Sequence, residues 1–92
     1  MNDLSDDFFY VTNSVRRMDV MYLLESLHFS RNSEIAYMLN MSCSYVSIIT
    51  KELVKRKLLK VQKNKQYSIF SLTDKGEEMV RQLRDYHGIK GK

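Results

Sequence analysis

The sequence predicts a mainly helical α+β domain. Three observations carry that expectation. Apolar residues recur at helical spacing on both sides of a tight polar turn, the period then changes from 3.6 to 2 over residues 59–72, and a last helical stripe follows a capping threonine. At 92 residues the chain lies far below the ~250 at which chains divide, so one domain is expected. A hydrophobic fraction of 43% is enough to bury a core. A core of this size is only marginally stable alone, so apolar residues left over from it carry information.

Each element follows from its residues. Residues 1–13 join an acidic start (Asp3, Asp6, Asp7) to the apolar run Phe8-Phe9-Tyr10-Val11, and the pattern leaves open whether that run is helical. From Ser14 to Leu27, Val20, Leu23, Leu24 and Leu27 fall on one helical face, with a second stripe of Val15, Met18 and Tyr22 on another side. His28 to Asn32 is expected as a polar connection. Asn32 or Ser33 can cap a short helix to about Leu39, with Ile35, Met38 and Leu39 inward. Asn40-Met41 makes a tight turn. Ser42 then caps a helix to about Lys57 that buries Val46, Ile49, Thr50 and Leu53. Leu59 to Lys63 and Gln66 to Leu72 alternate as two strands, joined near Asn64-Lys65, where an asparagine tolerating positive φ allows a hairpin without glycine. Thr73 caps a helix over about 74–87, with Met79, Val80, Leu83 and Tyr86 or His87 along one stripe, Gly88 as its stop and Ile89 covering the last turn. Helix, short helix, tight turn, helix, basic hairpin, helix is the order of a winged helix-turn-helix.

Charge is unevenly placed along this order. The net charge is +4 and the pI near 9.3. Residues 1–50 sum to −3, residues 51–65 to +6 (Lys51, Lys55, Arg56, Lys57, Lys60, Lys63 and Lys65 against Glu52), and residues 66–92 to +1. A local basic stripe is the electrostatic footprint of a polyanion partner, though a solvated charged face has the same composition.

Several classes fall away. No apolar run nears the ~18 residues of a membrane span, and the acidic N-terminus lacks a secretion layout, so a cytoplasmic location with no membrane partner is expected. The single cysteine, Cys43, forms neither an internal disulfide nor a zinc site, and no metal or cofactor is expected. Three glycines (Gly76, Gly88, Gly91) cannot build a phosphate loop. His28 and His87 have no nucleophile or carboxylate constellation around them, so no enzyme is expected. The six methionines fall mostly at core spacing.

The run Glu34-Ile-Ala-Tyr-Met-Leu-Asn-Met-Ser-Cys-Ser-Tyr-Val-Ser-Ile-Ile-Thr-Lys-Glu-Leu-Val-Lys-Arg-Lys-Leu-Leu59 resembles the winged helix-turn-helix of MarR-type regulators. Ser71-Leu-Thr-Asp-Lys-Gly76 resembles the step leading from their wing into a C-terminal helix. The likeness spans about residues 20–80, and archaeal and viral winged-helix regulators share the pattern. Lys57 stands where that pattern usually has glycine, Ile48 where an outward polar residue is common, and the wing is short. The resemblance implies a minimal version of a transcriptional regulator, more often a repressor, that binds double-stranded DNA.

The residues assign roles within that frame. Ser42, Ser44, Tyr45, Ser47 and Ile48 lie at or near the start of the third helix, where short groups enter the major groove, with Ile48 placed for a thymine methyl. Lys51 and Lys55 follow for phosphates, and Lys60, Lys63, Asn64 and Lys65 line the wing. Arg31, and similarly Arg16 and Arg17, are further phosphate candidates. Cys43, beside the recognition helix, is a redox candidate, but as a lone thiol it is more simply a small tolerated residue.

Apolar residues exceeding one small core (Phe8, Phe9, Val15, Met18, Tyr22, Met79, Leu83, Tyr86) are expected at a homodimer interface, the alternative being that Phe8 and Phe9 fold back on their own domain. Residues 1–13 would then be an N-terminal dimer contact, 14–73 the DNA-binding domain, and 74–92 a dimerisation helix with a short tail. The competing function is a protein-interaction module in a larger complex, which the clustered bases disfavour. Operator, effector and direction of regulation stay open.

Overall fold

The computed structural model describes residues 4–87. The helices are α1 (Leu4–Thr12), α2 (Val15–Leu27), α3 (Asn32–Leu39), α4 (Cys43–Lys55) and α5 (Asp74–His87). The strands are β1 (Ser30–Arg31), β2 (Leu59–Lys63) and β3 (Ser68–Leu72), in one antiparallel sheet of order β1-β3-β2. The mainly helical winged helix-turn-helix expected from the sequence is therefore present. Gly88 and Ile89, expected to close the last helix, lie outside the described residues.

Caps set most boundaries. Ser14 Oγ accepts the Arg17 N–H at 3.4 Å to open α2, and Ser42 Oγ accepts the Tyr45 N–H at 3.1 Å to open α4. Asn40 ends α3 in the left-handed region (φ 56°), and Met41 N–H returns to the Ala36 carbonyl at 2.9 Å. α4 ends the same way, two residues before the expected Lys57. Lys57 sits at φ 67°, its N–H on Val54 O and the Leu58 N–H on Leu53 O, both at 2.9 Å. The bend usually given to glycine is thus made with a lysine, at a steric cost a Cβ cannot avoid.

Thr73 links this bend to α5. Its hydroxyl accepts the Gly76 N–H at 2.9 Å and donates to the Lys57 carbonyl at 2.7 Å. Gly76 is required by proximity, since a Cβ there would lie 2.1 Å from the Leu58 carbonyl oxygen.

One element departs from the sequence reading, and one that it left open is a helix. The supposed polar connection contains β1, whose Ser30 and Arg31 face Phe70 and Ile69 across the ladder. Two residues are too few to show alternation, and the third strand exists because β3 offers an edge. The 4–12 segment is helical, and of the second stripe on α2 Met18 is buried within the domain, Tyr22 is half-buried and Val15 stays exposed. α2 is packed by α1, α3, α5 and β3, so Met18 and Met21 are buried along with Val20 and Leu24.

The core joins these to Val11 of α1, Ile35, Val46, Leu53, Leu58 and the α5 residues Met79, Val80 and Leu83. Met79 and Leu83 are 0% exposed and Met18 is 9% exposed, so these three, expected at a dimer contact, belong to the domain's own core. Met38, expected inward, is exposed, and Ala36 packs in its place. Leu23 and Leu27 are half-buried.

Candidate nucleic-acid interface

The two helices of the turn are locked at their crossing. Thr50, buried on α4, donates its hydroxyl to Asn32 Oδ1 at 3.0 Å while staying within reach of the Val46 carbonyl at 3.1 Å. With Val46, Ile49 and Leu53 also turned inward, the opposite arc of α4 is fixed outward. Ser44, Tyr45, Ile48, Lys51 and Lys55 are exposed there and Ser47 is half-buried, with Ile48 at 67% exposure. The Ser42 Oγ spends a lone pair accepting the helix-capping N–H, which leaves its hydroxyl proton to donate to any ligand.

Strand register decides which hairpin residues share this face. Leu59, Val61 and Lys63 point to the side of Phe70 and Leu72, toward α4. A cleft of about 270 Å³ results, lined by Ser47 and Lys51 from α4 and Lys63, Ser68 and Phe70 from the wing, with Asn32 at its floor. A second groove of about 400 Å³ runs along the other flank of α4, between Ser47, Ile48, Lys51 and Lys55 and the α1 residue Tyr10. Lys60, expected to line the wing with Lys63, is one residue out of phase and lies on the sheet's opposite face.

Asn64 turns the hairpin by a different device from the one expected. Its φ is not positive. Its Oδ1 accepts the N–H groups of Gln66 at 2.9 Å and Tyr67 at 3.0 Å, which replaces the missing glycine with a side-chain turn. Lys65 is exposed at that turn. Arg31 is exposed at the start of α3, its guanidinium 5.0 Å above the Tyr67 ring, so β1 brings it beside the wing.

Other bases are not available to a ligand in the same way. Arg16 donates to the Leu39 carbonyl at 2.7 Å and pairs with Asp19. Arg17 donates to the Tyr10 carbonyl at 2.7 Å. Arg56, counted in the basic stripe, turns inward: it meets Asp7 at 3.0 Å and Glu52 at 3.0 Å. Asp7 is 0% exposed and also receives the Lys75 ammonium at 2.8 Å, a direct ion pair rather than an aligned hydrogen bond. Tyr10 lies between the guanidiniums of Arg17 and Arg56, each 3.9 Å from its ring centroid. Burial pushes the Tyr10 phenol above its usual range, with Arg17 pulling the other way.

Asp7 thus pins α1 to the C-terminal end of α4 and to α5, and Lys75 adds a bond to the Arg56 carbonyl at 3.1 Å. Sequence reasoning missed Asp7 and Tyr10 as neighbours of the candidate site. The signal present was an acid directly before an apolar run, which is also common at helix N-termini. Cations remaining on the face of α4 and the wing are Lys51, Lys55, Lys63 and Lys65, whereas Arg31, paired with Ile69, falls with Lys60 on the sheet's other face and not among the expected duplex contacts.

A helix-turn-helix whose outward helix and hairpin share a cationic face defines a winged helix-turn-helix domain. The chain belongs to the winged helix-turn-helix family, whose profile matches residues 16–91. No curated protein matches it in sequence. Among solved structures it is similar to the adhesin competence repressor AdcR from Streptococcus pyogenes (24% identity, TM-score 0.70, 82% of this chain and 57% of that one). It is also similar to a mutant of MarR from E. coli complexed with operator DNA (15% identity, TM-score 0.73, 78% of this chain and 54% of that one). A third similar structure is AF1382 from Archaeoglobus fulgidus (25% identity, TM-score 0.69, 82% of this chain and 87% of that one). The fold is therefore MarR-like, and the chain spans little more than half the length of AdcR and of MarR. No described helix is long and apolar enough to cross a membrane. Among the described residues no group of three or more His, Cys, Asp or Glu side chains could hold a metal.

Proposed function

We propose that the chain is a sequence-specific, double-stranded-DNA-binding transcriptional regulator, acting as a repressor on a two-fold-symmetric operator. The observation that carries this reading is the convergence of Ser47, Lys51 and Lys63 from helix and wing on one cleft, beside an exposed Ile48. Small polar and apolar groups at the start of α4 suit base edges, and lysines farther along α4 and on the wing suit phosphates. The likeness to MarR seen with operator DNA, and to a protein described as a repressor, supports the same reading.

A homodimer is part of the proposal. Phe9 (71% exposed), Val15 and Tyr86 remain on the surface of α1, α2 and α5, while Phe8 and Tyr22 are half-buried against the domain's own core. Phe8 meets Tyr86 edge-on at 5.2 Å, so the two ends of the chain present one apolar surface. Pairing two copies there would set recognition helices ~34 Å apart, one turn of DNA.

Selection of duplexes from a random library tests function and symmetry together. A two-fold consensus is the expected result. Lys51→Ala and Lys63→Ala should each weaken binding to all sequences and reduce the salt slope by about 1, whereas Ile48→Ala and Ser47→Ala should change base preference. Failure to bind any duplex, or affinity indifferent to salt, would refute the proposal.

A further inference from the structure

The face of the sheet turned away from α4 carries a second surface. Register places Gln62, Ile69 and Arg31 on it in one row and Lys60 and Ser71 in the next, and Phe29, directly before β1, joins them by lining the same groove. A groove of about 540 Å³ lies over them, lined by Phe29, Lys60, Val61, Gln62, Ile69 and Ser71. Phe29 is 64% exposed, while Phe70 and Leu72, on the other face of the same sheet, are buried. His28, held at φ 74°, turns the chain out of α2 directly before Phe29. The Arg31 guanidinium stacks over Tyr67 at the far end of the face. Among the described residues no carboxylate lines the groove. The nearest acid in the sequence of β1 and α3, Glu34, is occupied by the Ser30 hydroxyl and the Arg31 N–H at 3.0 and 3.1 Å.

We propose that this face is a binding site for single-stranded nucleic acid, separate from the duplex-binding face. An unstacked base lies on the Phe29 ring against Ile69, Gln62 and Ser71 offer hydrogen bonds to its edge, and Lys60 and Arg31 at opposite corners hold flanking phosphates. The charge and shape select this occupant. A duplex keeps its bases stacked inside the helix and has none to lay on an aromatic ring. A protein partner needs roughly 800 Å² of surface on each side with an uncharged centre, more than six side chains with cations at two corners supply. Aromatic rings on an open sheet, flanked by cations, bind splayed bases with little sequence preference.

Fluorescence anisotropy with labelled ten-nucleotide oligothymidine and oligouridine tests the proposal, with a labelled duplex as the second probe. The full chain is expected to bind at least one single strand in a salt-dependent manner. Phe29→Ala should weaken that binding about tenfold or more, and Phe29→Trp should retain it. Phe29 is exposed, so thermal unfolding of Phe29→Ala should match the parent, and duplex affinity should be unchanged. Lys51→Ala should do the converse, weakening the duplex and sparing the single strand. No binding to either single strand, equal binding by Phe29→Ala, or loss through Lys51→Ala instead would overturn the proposal. A change of oligomeric state in Phe29→Ala would assign the face to a second copy and overturn it as well. Single-strand binding without duplex binding would leave this proposal standing and refute the duplex one.

Discussion

Replacing Asp7 by Asn removes a negative charge that two cations share inside the protein. Asp7 is 0% exposed, with Arg56 at 3.0 Å and Lys75 at 2.8 Å. Deleting one partner of a buried ion pair costs ~3–5 kcal/mol, because the remaining charge stays desolvated. Three features lower the figure here. Arg56 keeps Glu52 at 3.0 Å, the Arg56 and Lys75 side chains are 20% and 28% exposed, and the Asn oxygen can still accept one N–H from Arg56. An expected loss of about 2–3 kcal/mol follows, at or just below the lower bound of that range. At ~4–8 °C per kcal/mol for a domain of this size, the melting point should fall by about 10–20 °C.

Urea unfolding at pH 7 measures the loss as a lower midpoint with unchanged slope. A double-mutant cycle with Arg56→Met should return a coupling energy of at least ~1 kcal/mol, little reduced by 0.5 M salt because the pair is buried. A loss under ~0.5 kcal/mol, or additive single variants, would refute the view that Asp7 anchors α1 to the end of the recognition helix.

Three further outcomes follow from the backbone and the caps. Lys57→Gly should stabilise the protein by about 0.5–1 kcal/mol in the same urea assay, since glycine adopts φ 67° without steric strain but loses more chain entropy on folding. Gly76→Ala should destabilise by ~1–3 kcal/mol, because the added Cβ meets the Leu58 carbonyl oxygen at 2.1 Å and backbone has to move. Glu34 is held below its ordinary pKa by the Arg31 N–H and then the Ser30 hydroxyl. Its contribution to stability is therefore present above the unfolded-state value of 4.5 and is lost as pH falls through the lower folded-state value. Stability measured from pH 6 down to 3 should fall less steeply in Glu34→Gln than in the parent.

Local chemistry made much of the helix-turn-helix legible. Ser42 and Thr73 can be recognised as caps because a hydroxyl before an apolar-periodic run satisfies orphan N–H groups within three residues. Val46, Ile49, Thr50 and Leu53 declare the buried face of α4 by spacing alone, and the outward arc follows by subtraction. β1 and the packing of α1 were not legible for a shared reason. A two-residue strand and a nine-residue helix owe their form to partners elsewhere in the chain, Phe70 and Ile69 for one, α2 and α5 for the other. Met18, Met79 and Leu83 looked like surplus surface because nothing in their spacing says that α1 covers α2.

Charge divides the same way. The sequence by itself determined that positive charge concentrates between residues 51 and 65, and that the segment spans a helix end and a hairpin, because both depend only on which residues neighbour one another along the chain. Only the tertiary structure decided where each charge points. Arg56 is drawn inward by an acid 49 residues away, Lys60 is sent to the far face by strand parity, and Lys51 and Lys63 are brought to one cleft by the packing of helix against wing. Coulomb attraction and burial act through space, so a basic stripe in sequence becomes a face only after folding selects which of its members remain in water.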